Sequence, residues 1–165
     1  FEINVVTLNE QFSPLVNIDM SWKNSLTTRF EIKKSRTVTL NLTSNQIADI
    51  RNDELTVGLG YRFSDVQIVV RTAGVQRPLK SDLTVRMDVS LRDNKTMARK
   101  LIEAVDQPVA GQKIMRIAAT ADYVLSDRFN LQIFADHSRN NPFVANTFPT
   151  SNTNAGFSLR FTLVQ

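Results

Sequence analysis

The chain has 165 residues, 20 Lys and Arg against 16 Asp and Glu, a net charge of +4, one histidine and no cysteine. A mean hydropathy of −0.19 and apolar runs no longer than VQIVV at 66–70 exclude a helical membrane protein, because a helix needs about 20 apolar residues to cross a bilayer. The basic residues are interleaved with acidic ones and form no stripe, which argues against nucleic-acid binding.

Read in chain order, the sequence predicts about eight strands from apolar–polar alternation. FEINVVTL opens the chain as a strand. In 14–23, Val16, Ile18, Met20 and Trp22 alternate with Asn17, Asp19, Ser21 and Lys23, and KNS at 23–25 makes a tight turn. In 26–42, Leu26, Phe30, Ile32, Val38, Leu40 and Leu42 share one parity, with Arg29, Glu31 and Lys33 on the other. A long polar loop is expected at 44–54. In 55–63, Leu55, Val57, Leu59, Tyr61 and Phe63 oppose Thr56, Gly58, Gly60 and Arg62; a connection at 64–80 follows. In 82–92, Leu83, Val85, Met87, Val89 and Leu91 oppose Arg86 and Asp88. The loop 93–112 contains TMARKLIEAV, whose Met97, Leu101, Ala104 and Val105 stand at helical spacing before QPVAG. This predicts a short surface helix over 96–105, with an extended hairpin as the alternative. Met115, Ile117, Ala119, Ala121 and Tyr123 then oppose Arg116 and Asp122, and SDR at 126–128 is tight. In 129–136, Phe134 falls on the polar parity; 137–152 is a further long loop. The last strand alternates strictly, with Ala155, Phe157, Leu159 and Phe161 against Asn154, Gly156, Ser158 and Arg160.

One greasy and one wet parity, repeated along the whole chain, point to an all-β fold. Residues 1–165 read as one segment of antiparallel transmembrane β-barrel strands. Trp22, Phe63, Tyr123 and Phe129 stand beside predicted turns, where a barrel keeps its interfacial aromatics. Short turns alternate with long loops, as periplasmic and extracellular connections do in outer-membrane barrels, although 64–80 is long on the short side. Asn154, Gly156, Leu159 and Phe161 fill the slots of the C-terminal outer-membrane sorting signal, with four residues following the aromatic. On this reading Arg29, Glu31, Lys33, Arg62, Arg86, Asp88, Arg116, Asp122 and Arg160 face a lumen. A self-contained eight-stranded barrel of structural or adhesive role, and a soluble sandwich that binds an apolar ligand, stand beside a wall segment of a larger barrel. Opening at Phe1 without an initiator Met, the chain is expected to be a processed protein or a fragment.

Catalytic chemistry finds little support, so no enzyme is expected. His137 lies in ADHSRN between Asp136 and Ser138, and sequence neighbours on a strand point to opposite faces, so no triad forms; a solvated loop histidine is expected. One His and no Cys leave a metal site unsupported, and NDE at 52–54 reads as a solvated turn. GLG at 58–60 precedes no helix and cannot cradle a phosphate; its glycines thin the polar face for bulky neighbours. No cofactor is implied.

The segments EQFSPL, KSRT, DELTVGLGYRF, LKSDLTVRMDVSLRDN, QPVAGQ, ADYVLSDRFNLQIFAD and NPFVANTFPTSNTNAGFSLRFTL, in this order, resemble the C-terminal end of the SprA (Sov) family. These are the outer-membrane translocons of the type IX secretion system of Bacteroidota, associated with gliding motility. The resemblance covers nearly the whole chain. It implies one very large barrel of about 36 strands that exports folded cargo bearing a type IX C-terminal signal to the cell surface. It also implies a lateral opening, covered by a plug protein or a PorV-type partner barrel. This chain would then be the last stretch of wall in the outer membrane, in contact with lipid and with the remaining strands of the same barrel. No catalytic residue carries over from the family.

Overall fold

The computed structural model describes residues 3–72, 75–101, 106–126, 129–144 and 147–161, with side chains except those of 68–72, 75–79, 106 and 126. Among the described residues there are seven strands and no helix: β1 (Val5–Ser21), β2 (Leu26–Asn41), β3 (Gln46–Thr72), β4 (Val75–Lys100), β5 (Asp106–Ser126), β6 (Phe129–Pro142) and β7 (Thr150–Phe161). Each pairs antiparallel with its sequence neighbour, giving one sheet in the order β1-β2-β3-β4-β5-β6-β7. Antiparallel pairs need only a hairpin between them, so short connections lead to this meander. Neither β1 nor β7 has a second partner among the described residues, and the sheet is open at both edges.

The described residues form no second layer over the sheet. Tyr123 is the only buried apolar side chain among the described residues, while Leu59 is 54% and Phe157 73% exposed. A soluble sandwich would bury one face of each sheet against the other at about 10 Å, and these residues build no such pair.

The strands are fewer and longer than the alternation predicted. The described end of FEINVVTL, Val5 to Leu8, and residues 14–21 are one strand, since β1 keeps its pairing with β2 across an irregularity between Phe12 and Val16. Pro14 cannot donate to the ladder, and the sheet absorbs it as a bulge. The expected loop 44–54 shrinks to a turn at 42–45, where the Asn41 side-chain oxygen accepts from the amides of Thr43 at 3.0 Å and Ser44 at 3.1 Å. Asn45 takes a left-handed φ of 50° that asparagine tolerates. Residues 46–54 continue β3, so NDE at 52–54 is strand and not turn.

The helix expected over 96–105 is overturned. Residues 96–100 belong to β4, 96–99 pair on both sides, for example Thr96 with Ile50 and with Ala110, and 102–105 lie outside the described residues. Two ladders satisfy the backbone groups that a helix would have satisfied internally, and helical spacing of a few apolar residues is too weak a preference to compete. Likewise 137–142 extends β6, which leaves 143–149 as the connection, and His137 sits in a strand. The connection 64–80 is a paired extension of β3 and β4 from Val66 with Ser81 to Thr72 with Val75, beginning at a bulge where Asp65 has a φ of 62°.

Candidate functional site

Strand pleat and register together sort the side chains into rows. One row crosses the whole sheet as Ile18, Phe30, Val57, Val89, Ile117, His137 and Thr153. The next, toward the 22–25 turn, is Met20, Thr28, Leu59, Met87, Ala119, Ala135 and Ala155, followed by Leu26, Tyr61, Val85, Ala121, Ile133 and Phe157. Phe63, Leu83, Tyr123, Leu131 and Leu159 lie beyond. These rows form one continuous apolar belt on one face. Its upper edge drops from Ile32 and Leu55 on β2 and β3 to Ala135 and Ala155 on β6 and β7, as a level belt must when it crosses tilted strands.

Aromatics border the belt at its lower end. Phe129 meets Phe161 edge-on at 5.4 Å between centroids, and Tyr61 meets Phe63 at 4.5 Å. The Trp22 indole donates to Thr28 Oγ1 at 3.2 Å, and the Tyr123 hydroxyl donates to the Val66 carbonyl at 3.1 Å. Trp22 adjoins the 23–25 turn as expected, and Phe129 opens β6, while residues 127 and 128 of the tight turn expected at 126–128 lie outside the described residues. Phe63 and Tyr123 instead lie within longer strands, but the register brings them to the same end.

The opposite face collects Arg29, Glu31, Lys33, Arg62, Arg86, Asp88, Arg116, Asp122 and Arg160. Glu31, 7% exposed, accepts from Arg29 at 3.1 Å and Lys33 at 3.2 Å. Arg92 pairs with Glu54 at 2.7 Å, and Arg116 donates through Nε to Asp136 at 2.6 Å. Arg62 pairs with Asp82. Among the described residues Arg86, Asp88, Asp122 and Arg160 form no ion pair, so this face is only partly neutralised within the sheet. The glycines on this face lie beneath large neighbours. A Cβ on Gly58 would come 2.4 Å from Asp88 Oδ1, and one on Gly60 2.4 Å from Thr27 Oγ1.

The candidate sorting residues split between the faces. Asn154 and Gly156 pair with Asp136 and Phe134 on the polar side, and Leu159 and Phe161 with Leu131 and Phe129 on the apolar side. Phe134, the one break in the alternation of β6, lays its ring over Gly156, where a Cβ would stand 2.9 Å from Cζ. His137 Nδ1 lies 2.8 Å from Thr153 Oγ1 on the apolar parity, above the local edge of the belt.

Sequence reasoning missed one cluster. Arg36 contacts Asp49 through two nitrogens at 3.0 and 2.9 Å, and Arg51 contacts the same carboxylate at 3.1 and 2.7 Å. The paired guanidiniums, Arg36 first, hold the Asp49 carboxyl down from 3.8 to about 2. Alternation of Asp49, Arg51 and Asp53 with intervening residues was the available signal, hidden because the facing parity there is ionic and not apolar. No protein-family model matches the chain, and no curated protein matches it.

Proposed function

We propose that this chain is a stretch of wall from a large outer-membrane β-barrel, its belt turned to lipid and its charged face turned to a water-filled conduit. The observation that carries this reading is a sheet without a core: an apolar face bordered by aromatics, a charged face opposite, and both edges unpaired. Lipid supplies the cover that a second layer would supply in a soluble protein. The incompletely neutralised charges favour water over the filled interior of a small barrel. The narrower identity, the C-terminal wall of a type IX secretion translocon of the SprA kind, rests on the sequence segments quoted above. In that setting the neighbours are the remaining strands of the same barrel, outer-membrane lipid, a plug protein or PorV-type barrel, and cargo with a type IX C-terminal signal.

Open edges supply the test. An unpaired backbone group in hydrocarbon costs several kcal/mol, and a lone seven-stranded sheet would expose two rows of them. Residues 1–165 expressed alone and refolded in detergent should aggregate and show no heat-dependent gel shift. A monomeric, heat-modifiable species would mean that the edges close on each other, and the small self-contained barrel would replace the wall segment. For orientation, single cysteines at Ser44 and Thr147 of the intact protein should label with an impermeant reagent in whole cells, whereas one at Asn24 should not. The reverse pattern would invert the topology.

A further inference from the structure

Just above the belt, the lipid-side face changes chemistry within a single row. Ile32, Leu55, Leu91 and Met115 give way to Lys34, Asp53, Asp93 and Lys113, which stand side by side on β2 to β5. Glu10, Arg36, Arg51 and Lys95 form the row beyond. On β6, where the belt ends lower, Arg139 stands just above the local edge. Higher still the same face turns apolar again on β1 and β2, with Leu8 beside Val38 and Val6 beside Leu40. On β2 the charges occupy two rows, about 7 Å along the strand and close to the depth of one headgroup layer, and on β3 and β4 they reach further, to Asp49 and Arg99.

Among the described residues the unpaired charges of the band are three cations, Lys34, Lys113 and Arg139, against two anions, Asp53 and Glu10, which leaves one net positive charge. Two of its arginines share the Asp49 carboxylate, and Lys95 pairs with Asp93 at 3.1 Å. Lys34, Lys113 and Arg139 are exposed and form no ion pair among the described residues. We propose that this band binds the phosphate groups of outer-leaflet lipid, with those three side chains as its principal contacts. The inference rests on the membrane reading above and adds to it a ligand and a site. Continuity with the belt selects lipid over a soluble partner, because a phosphate at this level leaves its acyl chains beside Ile32, Leu55 and Met115. Each cation near an anionic lipid surface then contributes favourably, and salt weakens the contact.

The test uses the intact protein in nanodiscs of neutral phosphatidylcholine doped with a phosphorylated lipid A. Native mass spectrometry after release counts the lipids retained. Wild type should retain lipid A in preference, less so at high salt, and the Lys34→Gln/Lys113→Gln/Arg139→Gln variant should lose roughly tenfold in that preference. Lys23→Gln/Lys80→Gln, which removes charge at the other end of the sheet, should retain lipid A as wild type does. Normal insertion with undiminished retention in the triple variant overturns the phosphate band and leaves the membrane reading intact. A wild-type protein that fails to enter the nanodisc overturns both. A copurifying protein lost in the triple variant, with lipid retention unchanged, overturns the lipid assignment in favour of a protein partner.

Discussion

The middle of the sheet and its upper extension share strands, register and pleat, yet what stabilises them differs. At Leu55 to Phe63 the belt face is apolar on β3, β4 and β5; two to six residues before Leu55 the same parity of β3 carries Asp53, Arg51 and Asp49. The middle has no internal cover and depends on its surroundings. The extension stabilises itself through cross-strand contacts such as Arg36 to Asp49 and Arg92 to Glu54. Strand pairing is therefore one property and the solvent it suits another, and a single strand passes from one regime to the other.

The largest expected effect comes from placing the chemistry of one region in the other. Leu59→Arg or Val85→Arg puts a cation in the middle of the belt and should cost about 2–4 kcal/mol, with impaired assembly. Thr56→Arg, on the charged face at a similar level, and Gln11→Leu, exposed on that face at the level of the extension, should each stay within about 0.5 kcal/mol. Urea unfolding of the intact protein in lipid vesicles ranks the four. Equal damage at Leu59 and Thr56 would mean that both faces are packed, and the contrast between lipid and water would fail.

Much of the middle was legible because alternation reports it directly: belt and charged face follow from the parity of residues such as Leu59, Val85, Arg86 and Asp88. The extension was not. Where both parities are polar, as at Gln46 to Glu54, a period of two leaves no hydropathy signal, and polar strands read as loops. Met97 and Leu101 fell at helical spacing, but long-range pairing to β3 and β5 decided their backbone, and no local pattern announces such pairing. Phe134 looked like an error of alternation until the register placed Gly156 opposite it.

That pair gives an intermediate effect and probes how closely the lower part of the sheet is packed. Gly156→Ala places a Cβ 2.9 Å from the Phe134 ring, so the ring or the strand must shift, at a cost of about 1–3 kcal/mol. In a Phe134→Ala background the clash is gone, and the same substitution should become nearly neutral. A double-mutant cycle of unfolding free energies reads the coupling. Full damage from Gly156→Ala without the ring would assign the glycine to recognition of the terminal strand and not to packing.

The smallest effect tests whether the extension is held by its ions. Asp49 titrates at about 2 in the folded sheet against an ordinary 3.8, principally because Arg36 and then Arg51 donate to its carboxylate. A folded pKa below the unfolded one means that the contribution is fully present above about 3.8 and disappears as pH falls toward about 2. Hydrogen exchange at the amides of 46–50, corrected for intrinsic rates, should therefore show the tip of the β2–β3 hairpin opening more readily across that window while the belt amides of 55–63 stay protected. Asp49→Asn removes the titrating group, so the tip should be looser at neutral pH and lose this pH dependence. If wild-type tip and belt respond alike, or if Asp49→Asn keeps the wild-type pH profile, the ion clasp does not hold the extension, and its strands persist through backbone pairing alone.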